Sequence, residues 1–193
     1  NSGSTLTLTA TISQAADEDV TVNLGAAGTS TNGTDYGSIS SITVSAGDTT
    51  GTATFDPTDD SVYEGSETAV ISISSVSGGD AAESGSQSVT ITITDNESAP
   101  TVTLAVSATS IAENAGSSLT LTATLSGATD SDITVALDTS GTATEGTDYT
   151  DGSGNIDDIV IGAGVTTGTV NFTPTDDSIY DATSNETATI SIN

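Results

Sequence analysis

The sequence predicts an all-β fold of tandem immunoglobulin-like antiparallel β-sandwiches, and three observations carry that prediction. Apolar residues alternate with Thr and Ser at a period of two along most of the chain, as in strands that bury one face and expose the other. Clusters of Gly, Ser, Asp and Asn separate these runs, and no segment shows helical periodicity. The chain also repeats itself. Residues 1–13 (NSGSTLTLTATIS) return as residues 114–126 (NAGSSLTLTATLS), a shift of 113, and Gly33-Thr34-Asp35-Tyr36 returns with the same shift as Gly146-Thr147-Asp148-Tyr149. From Asp59-Asp60 to Asp176-Asp177 the shift has grown to 117, so an insertion lies near positions 150–158. A period of this size marks tandem domains, not a solenoid of short repeats.

Taken in order, the first unit places Leu6, Leu8, Ala10 and Ile12 on one face of its opening strand, and Val20, Val22 and Leu24 on one face of the next. Residues 50–55 and 68–74 form two more strands around an acidic loop, and Val89, Ile91 and Ile93 mark the last. In the second unit Val102, Leu104 and Val106 define an opening strand, followed by Leu119, Leu121, Ala123 and Leu125. Strands at 167–172 and 187–192 flank the second copy of the acidic loop. With seven strands, A to G, in a full sandwich, residues 1–98 begin at strand B and lack A, and residues 99–193 end at strand F and lack G. The six residues 95–100 that join the units are too few for free tumbling. Such a chain is expected to be a window on a longer array, or else to complete its sheets with strands from neighbours.

Charge decides which partners are open to it. The 193 residues hold 27 Asp and Glu and no Lys, Arg or His, a formal net charge of −27. No ion pair between side chains exists, and self-repulsion opposes the compact state unless salt or metal offsets it. Nucleic acid and anionic membrane surfaces have the wrong sign as electrostatic partners. Without Cys there are no disulfides, and without a run of 18 apolar residues there is no helical membrane span. Lys–Asn isopeptide cross-links are excluded by the absence of Lys. Catalysis is not expected, because no nucleophile–base pair and no cationic oxyanion stabiliser can be assembled from these residue types. At 33% hydrophobic and 3% aromatic residues, each core must be thin and aliphatic.

The acids are not evenly spread. Asp59, Asp60, Glu64 and Glu67 fall within nine residues of the E–F connection, and Asp176, Asp177, Asp181 and Glu186 repeat the pattern. Because an antiparallel sandwich reverses at each connection, the A–B, C–D and E–F loops and the end of strand G share one pole. Asp35, Asp95 and Glu97 join the first cluster there, and Glu113 and Asp148 join the second. Hard oxygen ligands at this density, with no base to neutralise them, call for a hard cation, and Ca²⁺ suits flexible loops best. Asp17, Glu18, Asp19, Asp130 and Asp132 fall at the opposite pole and are read as solvated surface acids. Tyr36, Tyr63, Tyr149 and Tyr180 are read as packing plugs, and Gly78-Gly79-Asp80 as a turn.

These residues resemble the Calx-beta repeat, found in the regulatory loop of sodium–calcium exchangers and in large bacterial surface and adhesion proteins. The resemblance spans essentially the whole chain. It rests on Ile111-Ala112-Glu113-Asn114-Ala115-Gly116, on Gly-Thr-Asp-Tyr in both units, on the Asp-Asp-x-Val/Ile-Tyr-Glu/Asp loop, and on residues 89–97 (VTITITDNE). It implies Ca²⁺ ligands at Asp35, Asp59, Asp60, the Val62 carbonyl, Glu64, Glu67 and Asp95. In the second unit it implies Glu113, Asp148, Asp176, Asp177, the Ile179 carbonyl, Asp181 and Glu186. The chain departs from the family at Asn96 and Glu97, where further Asp is common; Asp181 is shorter than Glu64, and Glu186 is displaced by two residues.

The function expected from this reading is a calcium-binding structural repeat, a rigid stalk or fibre segment of an extracellular surface or adhesion protein. Its partners would be neighbouring repeats. The alternative is a subunit of a self-assembling extracellular filament whose neighbours supply the missing strands. A calcium sensor acting on a partner ranks third, since the chain has no basic or aromatic interaction patch.

Overall fold

Strands form where Thr alternates with Val, Ile, Leu or Ala, because β-branched and aliphatic side chains fit a half-buried pleated surface. The computed structural model describes residues 4–177 and 185–193, and the chain divides into two units, Asn1–Ser98 and Ala99–Asn193. Both are sandwiches of antiparallel sheets. Among the described residues no helix is long and apolar enough to cross a membrane.

The first unit contains β1 (Leu6–Thr11), β2 (Val20–Gly28), β3 (Ser41–Val44), β4 (Thr50–Phe55), the two-residue β5 (Val62–Tyr63), β6 (Glu67–Ser77) and β7 (Ser88–Ile93). One sheet is β1 against β4, and the other runs β3-β2-β6-β7. The second unit contains β8 (Val102–Val106), a 3₁₀ turn (Glu113–Ala115), β9 (Leu119–Leu125), β10 (Ala128–Thr129), β11 (Ile133–Val135), β12 (Leu137–Gly141), β13 (Tyr149–Thr150), β14 (Ile159–Ile161), β15 (Thr167–Pro174) and β16 (Ala188–Ile192). Its first sheet runs β13-β15-β9-β8. Facing it, β11 pairs with β14 and β12 pairs with β16. Only Ala136 separates β11 from β12, so one extended run serves a neighbour with each half.

The cores are aliphatic, with one aromatic pair each. Leu121, Ala123, Leu125, Val135, Tyr149, Ile156, Ile159 and Ile161 form a single buried cluster in the second unit. In the first unit the buried residues fall into two clusters, one around Tyr36, Phe55, Ile71 and Ile93 and one around Val20, Val22, Ile42 and Val44. Each fully buried Val, Ile or Leu contributes roughly 1.5–3 kcal/mol, so cores this small leave little margin. Three residues of the alternating pattern do not face the core as expected: Leu6 is 45% exposed, Val89 46% and Val106 39%. All three lie on strands at the margins of their sheets, β1, β7 and β8, which have a neighbour on one side only among the described residues.

The acids opposite the cluster are exposed, as expected of solvated surface charge, and three of the five, Glu18, Asp19 and Asp132, also hold backbone amides. Asp19 Oδ1 accepts the Ala46 N–H at 2.8 Å, and Asp132 Oδ1 accepts the Ala163 N–H at 2.9 Å. These are equivalent positions in the repeat, and each is accompanied by an equivalent backbone bond, Gly47 N to Ala16 O and Gly164 N to Thr129 O, both 2.8 Å. Glu18 Oε1 accepts the Gly79 N–H at 2.9 Å. Gly78, Gly79 and Asp80 all adopt positive φ (88°, 55° and 49°) and form a turn closed by Ala81 N to Gly78 O. With no basic side chain available, a carboxylate finds its partner in a backbone amide. Asp19→Ala and Asp132→Ala should therefore each cost about 1 kcal/mol in their own unit, read as a lowered denaturant midpoint; unchanged midpoints would return these acids to solvated surface charge.

Candidate metal centre

Strand register places the acidic loops of each unit at one end. In the first unit Gly28 at the end of β2 pairs with Ala69 near the start of β6, and Glu67 pairs with Ile93 at the end of β7. In the other sheet Leu6 at the start of β1 pairs with Phe55 at the end of β4. The segments holding Asp35, Asp59 to Glu67, and Asp95 to Glu97 all emerge there. In the second unit Gly141 pairs with Ala188, Tyr149 with Pro174, and Leu119 with Phe172, which gathers Glu113, Asp148, Asp176, Asp177 and Glu186 in the same way. Glycine closes both ends: Gly28 (φ 118°) and Gly141 (φ 130°) adopt a backbone that L side chains rarely take. A Cβ on them would sit 2.1 Å from Thr68 O and 2.0 Å from Thr187 O, so the strand can approach its partner only without one.

Asp35, Glu64 and Glu67 are the acids of the first unit whose carboxylate oxygens converge, all within 4.8 Å of one another. All three are half-buried. Like charges at such a distance repel by roughly 1 kcal/mol per pair in water and roughly 4 kcal/mol at the effective dielectric of a protein surface. The loops that carry them are held by the backbone. Asp35 turns its Oδ2 back to the Thr31 N–H, its N–H donates to Thr31 O, and its carbonyl accepts the Thr58 N–H. Asp95 Oδ2 accepts the N–H groups of Glu64 and Gly65, both at 2.8 Å, and its Oδ1 accepts the Glu97 N–H at 3.0 Å. Burial works to raise the Asp95 pKa, but the amides of Glu97, Glu64 and Gly65 outweigh it and hold the carboxyl below its ordinary range. The Asp95 carboxylate in turn holds Glu97 above its ordinary range. Asp95 thus fixes the backbone that carries Glu64.

Among the described residues, the remaining acidic positions of the first unit do not form another such group of three. Asp59 and Asp60 are exposed, and Asp60 Oδ1 accepts the Val62 N–H at 2.8 Å, which bends the chain towards β5. Three hard carboxylates with no cationic side chain anywhere in the sequence fit a hard cation in donor chemistry; Asp35, Glu64 and Glu67 could hold it, and Asp95, Asp59, Asp60 and the Val62 carbonyl belong to the loops beside them.

The second unit repeats the frame with a looser set. Asp148 Oδ2 accepts the Thr144 N–H at 2.6 Å, and its carbonyl accepts the Thr175 N–H at 2.9 Å, as Asp35 does with Thr31 and Thr58. Glu113, on the 3₁₀ turn, takes the Asp177 N–H on Oε1 at 3.1 Å, which ties that turn to the loop after β15. Glu113, Asn114, Ser117, Ser118, Thr173 and Asp176 line a shallow cleft. Among the described residues no group of three acids as close as the first trio forms here. Ile179 and Asp181 lie outside the described residues, as does Tyr180.

Two residues that the sequence reading passed over shape both ends. Asn32 Oδ1 accepts the Ile39 N–H at 3.0 Å while its Nδ2 donates to Ile39 O, and in the equivalent place Glu145 Oε1 accepts the Ile156 N–H at 2.5 Å. Both stand directly before the Gly-Thr-Asp-Tyr motif, and that shared position was the available signal. Behind them Tyr36 stacks on Phe55 at 4.5 Å and Tyr149 on Phe172 at 4.6 Å. Both tyrosines are almost fully buried, the packing role expected of them; Tyr63 is half-buried. Their hydroxyls differ. Tyr149 is hydrogen-bonded to Thr139, which donates to Glu145 Oε2 at 2.7 Å. Tyr36 Oη is buried with no hydrogen-bond partner, because the counterpart of Thr139 is Ala26.

All-β sandwiches of duplicated design, each with carboxylates gathered from several connections at one end, define the class. Comparison with protein families gives the assignment: the Calx-beta domain model matches residues 95–193, 99 of the 193 residues. The chain belongs to the Calx-beta family. Residues 1–96 match a different model, that of the LapA domain, so the resemblance read over the whole chain is met by the Calx-beta model in the second unit only. No curated protein matches. Among solved structures the chain is similar to CBD12 from CALX1.2 (19% identity, TM-score 0.41, covering 91% of this chain and 70% of that one). It is similar also to the calcium binding domain CBD12 of CALX1.1 (18% identity, TM-score 0.41, covering 97% and 73%).

Two expectations follow from this geometry. Asp95→Ala leaves three amides without their acceptor and should cost the first unit about 1–3 kcal/mol in chelator, read by denaturant unfolding. Because the Asp95 pKa is lowered on folding, its contribution is complete above the ordinary carboxylate range, and the deficit should vanish as the pH falls through the folded value. A deficit that persists in strong acid would point to another cause. Separately, Tyr149→Phe should lose about 1 kcal/mol whereas Tyr36→Phe should lose nothing or gain; equal losses would show that the Tyr36 hydroxyl is satisfied in solution.

Proposed function

We propose that this chain is a calcium-binding structural segment of an extracellular surface or adhesion protein, part of a rigid stalk or fibre. The observation that carries the reading is the meeting of Asp35, Glu64 and Glu67 within 4.8 Å in a chain of net charge −27 with no base. Membership of the Calx-beta family supports the choice of calcium. In the first unit Asp35, Glu64 and Glu67 supply the central ligands, and Asp59, Asp60, Asp95, Glu97 and the Val62 carbonyl are the further candidates. In the second, Glu113, Asp148, Asp176, Asp177 and Glu186 play that part together with Ile179 and Asp181. The bound ion supplies positive charge and nothing else; the role is structural, not enzymatic. Asp95 holds the Glu64 loop in place beforehand, so less ordering is left for binding.

Extracellular modules of this kind bind at roughly 10⁻⁴–10⁻³ M, which suits millimolar calcium outside cells. Asp95 and Glu97 lie in the short connection 95–100 that joins the units, so neutralising that pole supports a stiffened chain. The test is thermal unfolding in calcium and in chelator at matched ionic strength, with Mg²⁺ in parallel to separate binding from screening. At a hundredfold excess over Kd the folded state gains about 2.7 kcal/mol, a rise in Tm on the order of 10 °C for a domain of this size. Glu64→Gln with Glu67→Gln should remove most of the shift assigned to the first unit. An identical Tm in calcium and chelator would overturn the proposal.

A further inference from the structure

The sequence holds one Asn-Gly pair, Asn32-Gly33, at the head of the turn that carries Asp35. Such pairs are chemically labile, because glycine has no side chain to keep its amide nitrogen away from the neighbouring carboxamide. The Gly33 nitrogen attacks Asn32 Cγ, the bond from Cγ to Nδ2 breaks, and ammonia leaves. Water then opens the cyclic succinimide at one of its two carbonyls, which gives aspartate at position 32 or its β-linked isomer, isoaspartate. Nothing but water is consumed. Asn32 and Gly33 are both exposed, so burial does not protect them.

Hydrogen bonds withhold both reacting groups instead. Gly33 N, the nucleophile, donates to Tyr36 O at 2.9 Å. The Asn32 carboxamide is engaged elsewhere: Oδ1 accepts the Ile39 N–H and Nδ2 donates to Ile39 O, each at 3.0 Å. Ile39 is buried, so the core fixes that anchor. Asp35 tightens the same turn, with its N–H on Thr31 O and its Oδ2 on the Thr31 N–H. Attack requires Gly33 to leave Tyr36 and Asn32 to leave Ile39 together. Three bonds of ordinary strength that must open at once hold the reactive state to roughly one part in a hundred. The repeat shows which product the frame accepts. Glu145 stands in the place of Asn32 and takes the Ile156 N–H on Oε1, so a carboxylate is tolerated there. Isoaspartate is different, because it carries an extra carbon into the main chain just ahead of the Gly33 bond to Tyr36.

We propose that Asn32 is a site of spontaneous covalent modification, deamidation through a succinimide, which the folded first unit holds shut and opening of residues 31–39 releases. The step runs one way, so its product accumulates with the time the loop has spent open. Aspartate at this position adds a charge to a pole already crowded with acids, and isoaspartate disturbs the turn that presents Asp35. The second unit, with Glu145 in the equivalent place, has no such reaction open to it. None of this needs a bound ion.

The test is peptide mapping of the 193-residue chain after incubation in mildly alkaline buffer, folded in one arm and in denaturant in the other. Conversion at each Asn is read from the mass change of amide to acid, and isoaspartate from its chromatographic separation. In denaturant Asn32 should convert ahead of Asn23, Asn96 and Asn155. In the folded chain it should convert roughly a hundredfold more slowly than in denaturant. Equal rates in the two arms, or no preference for Asn32 in denaturant, would overturn the proposal. Native-state hydrogen exchange gives a second readout without any variant: the Gly33 and Ile39 amides should be protected by a factor close to that slowing. A freely exchanging Gly33 amide beside an unconverted Asn32 would overturn the gate. Asp35→Ala, which releases the Thr31 N–H, should speed conversion in a chain that amide dispersion shows to be folded. An unchanged rate in that folded variant counts against the proposal; where the variant does not fold, the exchange measurement decides.

Discussion

Uncompensated negative charge is the constraint on which the rest of this molecule depends. Twenty-seven carboxylates and no cationic side chain mean that an acid at a fixed place must be held by something other than an ion pair. Backbone amides take that part throughout. Asp19 and Asp132 pin one pole of each unit. Asp35, Asp148, Asp60 and Asp95 shape the loops of the other pole by the same chemistry. An amide is a weak partner beside a guanidinium, but it is fixed by the fold and costs no side-chain entropy of its own. The consequence is an architecture in which carboxylates organise turns and only a few are left to converge on one another.

Duplication separates what the fold requires from what one unit happens to have. The Gly-Thr-Asp-Tyr turn, the bond from the N–H of the Thr before Asp-Asp (Thr58, Thr175) to the motif's Asp carbonyl, the positive-φ glycine at the strand end and the stacked Tyr–Phe pair occur in both units. These build the frame of the acidic pole. Other features differ between the copies. The second unit replaces Asn32 with Glu145 and Ala26 with Thr139, and so satisfies a buried tyrosine hydroxyl that the first leaves alone. The first brings Glu64 and Glu67 against Asp35, whereas the second puts Glu113 on the Asp177 amide. Loops with one scaffold have diverged in how tightly they gather charge, which is the expected division between a rigid sheet frame and its connections.

Much of this was open to reading without coordinates. A period of two determines which residues of a strand share a face, and that alone locates β4, the cores around Ile71 and Leu121, and the all-β class. The alternation of chain direction in an antiparallel sandwich also determines that Asp35, Glu67 and Asp95 emerge at one end. What periodicity cannot report is whether a strand has a neighbour on each side. Leu6, Val89 and Val106 fit the pattern yet are exposed, because burial of a strand's face depends on sheet edges that the pattern does not encode.

Distances between loops were beyond the sequence for a related reason. Which carboxylates meet is decided by backbone hydrogen bonds between segments 30 or more residues apart, such as Glu64 N and Gly65 N on Asp95. Side chains that look alike in composition therefore divide into a converging trio, amide-bound pins such as Asp19, and exposed acids such as Asp59. The sequence by itself determined the fold class, the repeat and the pole at which the acids gather, since these follow from local periodicity and chain reversal. Tertiary structure decided which acids touch, which strands stand at a sheet margin and which tyrosine keeps a partner, since each depends on contacts made across the fold and not along the chain.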